Sequence, residues 1–250
     1  MMNNFSTNLR MSFLLVAVFS TLTVGMLLVM LLSLLTLGQA QNFIIRTFSP
    51  VLGRLVLFYA GVKVKIERLG EQITRPAIYI ANHSSTLDVF LILTLGLPKI
   101  RYVAKQEFLH NPIFAVMGLL TGQIFIKRQD SARAVATLNR AYARIRKHGL
   151  SLFVAPEGTR QETGRIGTFK KGAFRMAIDL QYPIVPIHFA GARQLCPGKT
   201  HNVKPGTVTI RFYPAIDTSS WTLENLDAQI AKIREQYIRW EEEYAEAGKV

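Results

Sequence analysis

Cysteine and acidic residues are scarce in this sequence. The chain of 250 residues has one cysteine, Cys196, which excludes an internal disulfide and a cysteine-based zinc cluster and indicates a reducing compartment. Asp and Glu together number 16 against 30 Lys and Arg, so the formal charge is +14. We therefore expect an anionic partner: a nucleic acid, an anionic membrane surface or a phosphorylated substrate.

Charged side chains and histidine are absent from Met11 to Ile45. Within this stretch Phe13–Leu37 is nearly all apolar, and as a helix it would be about 37 Å long, enough to cross a hydrocarbon core of about 30 Å. The run is too long for the apolar core of a signal peptide, usually ~7–15 residues. The sequence predicts a membrane anchor in residues 1–60, either one span or a re-entrant pair of helices over about 12–38.

The basic residues around the apolar run indicate its orientation. Only Arg10 precedes the run, and several cations follow it, so the positive-inside rule places the rest of the chain in the cytoplasm. Residues 42–62 are a second apolar segment, which is either interfacial or a buried helix of the main domain. We expect an integral or tightly bound membrane protein with residues 61–250 on the cytoplasmic face, at the inner membrane if the chain is bacterial. The cations after the run are Arg46, Arg54, Lys63, Lys65 and Arg68.

Strand patterns alternate with helical patterns after residue 60. This alternation predicts an α/β fold with a mixed, largely parallel sheet flanked by helices. The predicted strands cover 62–67, 76–81, 100–104, 123–126, 150–154, 184–189 and 208–212, and the predicted helices cover 87–95, 108–120, 131–147, 171–180 and 223–247.

The segment Asn82–Asp88 follows a buried strand and leads into a helix, which is where α/β folds place ligands. A turn of this length can bring His83 and Asp88 together, and a carboxylate on one imidazole nitrogen leaves the other nitrogen to act as a base. The alternative is a capping box, with Ser85 as N-cap and Asp88 at the third helical position. The spacing alone does not decide between a catalytic pair and a helix cap.

Three further segments carry cations or polar backbone at expected strand and helix ends. The loop Pro156–Arg160 offers N–H groups and a guanidinium to an anion. Lys170 and Lys171 open a helix, against the dipole preference, and would suit an anionic ligand. Lys127 and Arg128 end a strand. Each feature taken singly is also consistent with a solvated basic surface.

Together these segments carry a resemblance. From about Val62 to Ile216 the sequence closely resembles the glycerolipid acyltransferase family that includes the 1-acylglycerol-3-phosphate acyltransferases. The family's four blocks occur in order as NHSSTLD (82–88), GQIFIKR (122–128), APEGTR (155–160) and YPIVPI (182–187). The departures are Ala155 for a usual Phe, Gln161 for a common Ser, Lys127 for a frequent Asp, and Tyr182 for Val. None removes a group expected to do chemistry, but Lys127 alters the charge of the acceptor site.

The resemblance implies acyl transfer from a thioester to a lipid hydroxyl, with His83 as general base, Asp88 orienting it, and no acyl-enzyme. It implies substrate binding by Glu157, Gly158 and Thr159, with Glu157 fixing the loop, and by Arg128, Arg160 and Lys170 on the acceptor phosphate. Backbone N–H groups near Gly158 are candidates for the oxyanion hole. We expect no metal and no cofactor apart from the acyl donor, acyl-CoA or acyl carrier protein.

Three functions remain open at this point. The leading one is acylation of the sn-2 hydroxyl of 1-acyl-glycerol-3-phosphate (lysophosphatidic acid) to phosphatidic acid. The same chemistry on another lyso-lipid, a lyso-phospholipid or lyso-aminolipid, is the near alternative, and a non-catalytic basic membrane-binding protein is the distant one. The partners expected are therefore the lyso-lipid, the acyl donor and anionic membrane lipids, with no nucleic acid.

Overall fold

A computed structural model of the chain describes residues 2–71, 73–127, 130–160, 165–198 and 200–247. Its helices are α1 (Met2–Leu35), α2 (Gln41–Phe43), α3 (Ser49–Tyr59), α4 (Asp88–Thr94), α5 (Pro112–Leu120), α6 (Ser131–His148), α7 (Lys171–Leu180), α8 (Ala192–Leu195) and α9 (Leu226–Ala247). Its strands are β1 (Val62–Arg68), β2 (Ile78–Ala81), β3 (Ile100–Lys105), β4 (Ile124–Ile126), β5 (Ser151–Val154), β6 (Ile184–Ala190) and β7 (Gly206–Phe212).

Residues 2–59 form a helical hairpin. α1 ends where Leu37 and Gly38 take left-handed backbone angles, φ +48° and +77°, and the Gly38 N–H bonds the Ser33 carbonyl at 2.7 Å. The chain then returns through α2, a π-helical turn (Ile44–Phe48) and α3, which packs against α1 and α4. Among the described residues one helix, Met11–Leu35, is long and apolar enough to cross a membrane.

The hairpin buries one apolar stripe and exposes another. On α1, Leu14, Leu22 and Val29 are buried against the rest of the molecule. Large apolar side chains remain exposed on the other side, and an exposed apolar surface of this extent fits contact with lipid. They include Phe13, Val16, Phe19, Leu27, Leu31, Leu34, Leu35, Phe43 and Phe58.

The described strands form one seven-stranded sheet in the order β1-β7-β6-β2-β5-β3-β4. The five strands from β6 to β4 are parallel, and β7 pairs antiparallel with β6 and parallel with β1. This confirms the predicted mixed, largely parallel sheet. The predicted helix at 108–120 is divided, because Asn111 caps α5 ahead of Pro112 and leaves a 3₁₀ turn (Gln106–His110) before it.

Both faces of the sheet are covered, as a largely parallel sheet requires. On β2, Ile78 and Ile80 point into a core shared with α6, α7 and α9, whereas Tyr79 and Ala81 point into a core shared with α1, α3 and α4. The central strands β2 and β5 are neighbours and run in the same direction, so their carboxyl ends meet at one edge. The segments that follow them, from Asn82 and from Ala155, are therefore brought together.

Candidate active site

His83 and Asp88 form a hydrogen-bonded pair at the carboxyl end of β2. Nδ1 of His83 lies 2.8 Å from Oδ2 of Asp88. The Asp88 side chain is 1% exposed and the His83 side chain 18% exposed. With a proton on Nδ1, the imidazole keeps a lone pair on Nε2, so the geometry suits a general base backed by a buried carboxylate.

The loop that carries this pair is anchored to a segment far along the chain, residues 196–200. The Ser85 hydroxyl donates to the Cys196 carbonyl at 2.6 Å, and the Thr86 hydroxyl donates to the Thr200 carbonyl at 2.8 Å. Ser85 also uses its hydroxyl oxygen to accept the Leu87 N–H. These contacts fix the turn between β2 and α4 and so fix the distance between the imidazole and the carboxylate.

Glu157, in the loop that follows β5, binds the backbone of His83. Its Oε1 accepts the His83 N–H at 2.8 Å and its Oε2 accepts the Gly167 N–H at 2.9 Å. Burial raises the pKa of Glu157 above 4.5, and these two N–H donors act in the opposite direction. Glu157 is 2% exposed. Its buried carboxylate therefore links the loop of His83 to the loop of Gly167.

Arg160 lies against the same cluster. An added Cβ on Gly198 would be 2.9 Å from Cβ of Arg160 and 3.2 Å from the Ser84 carbonyl, so the absence of a side chain at Gly198 lets these segments meet. Nε of Arg160 is buried without a hydrogen-bond partner among the described residues. Thr159 is exposed, and the Gly158 N–H donates to the Ala155 carbonyl at 3.1 Å within a tight turn. That N–H is therefore engaged and is a poor oxyanion donor in this conformation.

The predicted cations differ in how closely the structure joins them to this cluster. Lys170 is exposed at the start of α7, and its backbone N–H bonds the Pro156 carbonyl at 2.9 Å. The neighbouring Lys171 pairs with Asp227 at 2.8 Å, a partner that local sequence does not reveal. Arg128 lies outside the described residues. β4, which precedes it, is three strands from β2, about 14 Å at the usual strand spacing.

An apolar cavity of about 190 Å³ opens beside the pair and is lined in part by His83. It lies between the sheet and the helices α1, α4 and α5, and its walls are almost entirely hydrocarbon and aromatic. The anchor contributes Leu22 and Ser49. The remaining lining residues are Val89, Ile92, Leu93, Tyr102, Val103, Ala104, Phe108, Phe114, Met117, Gly118, Thr121, Gln123, Phe125, Phe153 and Ala155.

Some residues of this site are not apparent from sequence. Asn82 accepts the Phe189 N–H through its side-chain oxygen at 2.8 Å and so ties β2 to β6. Cys196, Gly198 and Thr200 reach the loop of the pair only because the fold places them there. Asn82 precedes His83 in the NHSSTLD block, which is the only signal that could have marked it.

A family model described as Acyltransferase matches residues 62–190, which include the His83–Asp88 pair and the loop Pro156–Arg160. The chain belongs to the acyltransferase family. It is 33% identical over 192 residues to 1-acyl-sn-glycerol-3-phosphate acyltransferase of Limnanthes douglasii, spanning 77% of this chain and 68% of that one. It is 33% identical over 177 residues to the beta enzyme of that name from Homo sapiens, spanning 69% and 63%. The resemblance predicted from the four blocks is confirmed, and so is the prediction that the chain is an enzyme.

The fold of this acyltransferase matches a solved structure. The crystal structure of the 1-acyl-sn-glycerophosphate acyltransferase PlsC from Thermotoga maritima has a TM-score of 0.76 at 23% identity, covering 93% of this chain and 96% of that one. The match supports the fold alone, and the long apolar helix of this acyltransferase indicates membrane association.

Proposed function

We propose that this acyltransferase moves a fatty acyl chain from a thioester to the sn-2 hydroxyl of 1-acyl-glycerol-3-phosphate and produces phosphatidic acid. The observation that carries the proposal is the His83–Asp88 pair, bonded at 2.8 Å beside an apolar cavity whose lining includes His83. A base for a hydroxyl and a cavity for a hydrocarbon chain thus lie side by side. The names of the relatives support the same acceptor.

The reaction needs one base and no covalent enzyme intermediate. Nε2 of His83 takes the proton of the acceptor hydroxyl as the oxygen attacks the thioester carbonyl carbon. The C–S bond then breaks, and the departing thiolate takes the proton from the imidazolium. Asp88 accepts the Nδ1–H throughout and stabilises the imidazolium charge in between. The thiol carrier is coenzyme A or acyl carrier protein.

The acceptor phosphate is held by cations beside this base. Arg160 lies next to Gly198 and to Ser84, and Ser84 directly follows His83 in the chain. A guanidinium suits two-pronged contact with a phosphate. Lys170, exposed at the start of α7, is a second cation for the phosphate. Arg128 stays a candidate from the resemblance, because it lies outside the described residues. Glu157 spends both oxygens on backbone N–H groups and so fixes the loop without contacting the phosphate.

The acyl chain of the donor occupies the apolar cavity. Its lining includes His83 and Ala155 from the site, and Leu22, Ser49 and Gly118 from the helices α1, α3 and α5. Burial of methylene groups there would contribute about 0.8 kcal/mol each. Because Leu22 belongs to α1, the membrane anchor is also a wall of the substrate site.

The anchor holds the catalytic domain at the cytoplasmic face, the inner membrane in a bacterium, with anionic lipids as its surroundings. The basic residues after the apolar run support this orientation. The sequence left open a single span or a helix pair within residues 12–38, and α1 runs as one helix from Met2 to Leu35. We propose a re-entrant hairpin of α1 with α3 instead, because the chain reverses at Leu37–Gly38 and α3 packs back along α1.

An assay of purified membranes with labelled acyl donors and a panel of lyso-lipids tests the function. We expect 1-acyl-glycerol-3-phosphate to be the preferred acceptor and His83→Ala to lose ~10²–10⁴ in rate at normal membrane levels. His148→Ala, an exposed histidine on α6, is the matched control and should retain activity. Near-full activity of His83→Ala would refute the base, and preference for a phosphate-free lyso-lipid would favour the alternative acceptor.

A further inference from the structure

The C-terminal helix α9 contacts the active-site loops although it lies beyond the residues matched by the family model, 62–190. Arg234 projects from it and donates to two successive backbone carbonyls. Nε bonds the Gly167 carbonyl at 2.7 Å and a terminal nitrogen bonds the Ile166 carbonyl at 2.8 Å. Charge-assisted bonds of this kind are short and strong, so the guanidinium clamps the segment that precedes α7.

The clamped segment leads directly to the base. The N–H of Gly167 donates to Oε2 of Glu157 at 2.9 Å, and Oε1 of the same carboxylate accepts the N–H of His83 at 2.8 Å. Three consecutive contacts therefore connect α9 to the backbone of the histidine: Arg234 to Gly167, Gly167 to Glu157, and Glu157 to His83. Each lies within ordinary hydrogen-bond distance.

A second contact from α9 fixes the strand that carries the histidine. The hydroxyl of Tyr237 lies 2.9 Å from the Ile80 carbonyl of β2 and 3.1 Å from the N–H and the carbonyl of Ile187 in β6. Tyr237 is fully buried, and its ring packs against Phe169 at 5.3 Å. α9 thus contacts β2 at Ile80, three residues before His83. It also contacts Gly167, the residue whose N–H bonds Glu157.

We propose that Arg234 is a positioning residue for acyl transfer, which sets the place of His83 through Gly167 and Glu157. The inference rests on His83 being the base of the proposed function. Without the guanidinium, the carbonyls of Ile166 and Gly167 lose their donor, the segment loosens, and Glu157 loses one of its two N–H partners. The imidazole then spends less time in line with the acceptor hydroxyl.

The variant Arg234→Gln should lower kcat by about tenfold or more while both KM values stay nearly constant, since a misplacement of ~1 Å in a catalytic group costs up to ~100-fold. Arg234→Lys should recover part of the loss, because one ammonium replaces a two-pronged donor. Arg239→Gln is the matched control, with the same change at an exposed position of the same helix. It should be close to wild type.

A double-mutant cycle separates positioning from simple attachment of α9. If Arg234 acts through Glu157, the pair Arg234→Gln with Glu157→Gln should be hardly slower than Glu157→Gln alone. Losses that multiply in the pair would overturn the proposal, as would an unchanged kcat in Arg234→Gln. Where Arg234→Gln fails to fold in detergent, Arg234→Lys carries the same cycle.

A measurement independent of activity completes the test on the full-length protein in detergent. Amide hydrogen exchange should rise at Gly167 and His83 in Arg234→Gln and stay at the wild-type level in Arg239→Gln. Unchanged protection at both amides would overturn the inference while leaving the proposed function intact. A wild-type protein with no acyl transfer to any lyso-lipid would instead overturn the proposed function.

Discussion

Oδ2 of Asp88 lies 2.8 Å from Nδ1 of His83, and the same oxygen also accepts the backbone N–H of Ser85 at 2.9 Å. The Ser85 hydroxyl in turn accepts the Leu87 N–H at 3.0 Å, within the turn that precedes α4. The expected capping box with Ser85 as N-cap is not formed, because α4 begins at Asp88 itself and its N-cap is Leu87. One oxygen of Asp88 therefore fixes the turn at Ser85 and holds the imidazole of His83 at once.

The isosteric change Asp88→Asn should lose ~10²–10⁴ in turnover, because a neutral amide cannot stabilise the imidazolium. The stability cost should be at most about 1 kcal/mol, since an amide oxygen can still accept the Ser85 N–H. Turnover and thermal melting, both measured on Asp88→Asn, check the two expectations. Asp130→Asn, the same change at the N-cap of α6, is the control and should alter neither turnover nor acceptor KM.

Removal of the guanidinium in Arg160→Ala should raise the KM for 1-acyl-glycerol-3-phosphate far more than the KM for the donor. Arg160→Lys should recover part of the affinity, because an ammonium cannot make a two-pronged phosphate contact. Arg165→Ala, exposed in the following loop, is the matched control. Equal effects on both substrates would point to a structural role or to the phosphates of coenzyme A.

The sequence predicts those parts of the site that are local in the chain. The pair of His83 and Asp88 is predicted from their five-residue spacing and from the strand before them. The structure joins the two side chains as predicted, and their catalytic role stays a prediction. The hydrogen bond from the His83 N–H to Glu157 depends on β2 and β5 being neighbours in the sheet, and no local sequence pattern predicts that pairing. Arg234 is even further removed, on a polar helix whose docking is set by tertiary packing.

The same limit applies to the anchor. Composition predicts an apolar helix, and α1 is one, but composition does not place Leu22 in the wall of a cavity beside His83. Lys171 shows the converse case. Its position at a helix start suggested an anionic ligand, and the structure supplies Asp227 from a residue 56 positions away. Long-range pairing decided each of these features.

Stability should depend on pH through Glu157. Because burial raises its pKa above 4.5, the folded protein holds this proton to a higher pH than the unfolded chain does. The resulting stabilisation is complete below pH 4.5 and is lost as the pH rises through the folded pKa. The excess unfolding free energy of wild type over Glu157→Gln should therefore shrink as the pH rises from 4 upward. Chemical denaturation in detergent at several pH values measures it, and a widening gap would contradict this.

Gly118 should influence the choice of acyl donor. An added Cβ there would collide with the ring of Phe125, and both residues line the apolar cavity. Gly118→Ala should displace the ring into the cavity and lower kcat/KM for the longest donors by about tenfold relative to short ones. Leu119→Ala, at an exposed position of the same helix, should leave the ratio unchanged. Competition between donors of different length measures it directly.

The hairpin predicts on which side of the membrane the N-terminus lies. If α1 and α3 form a re-entrant pair, the N-terminus and the catalytic domain face the same side, whereas a single span would separate them. Cys196 is buried, so one added cysteine can report its own exposure. Asn3→Cys and Ala247→Cys should both react with a membrane-impermeant thiol reagent in inside-out vesicles and stay unlabelled in right-side-out vesicles. The unmodified chain controls for Cys196, and labelling of Asn3→Cys from the opposite side would establish a single span.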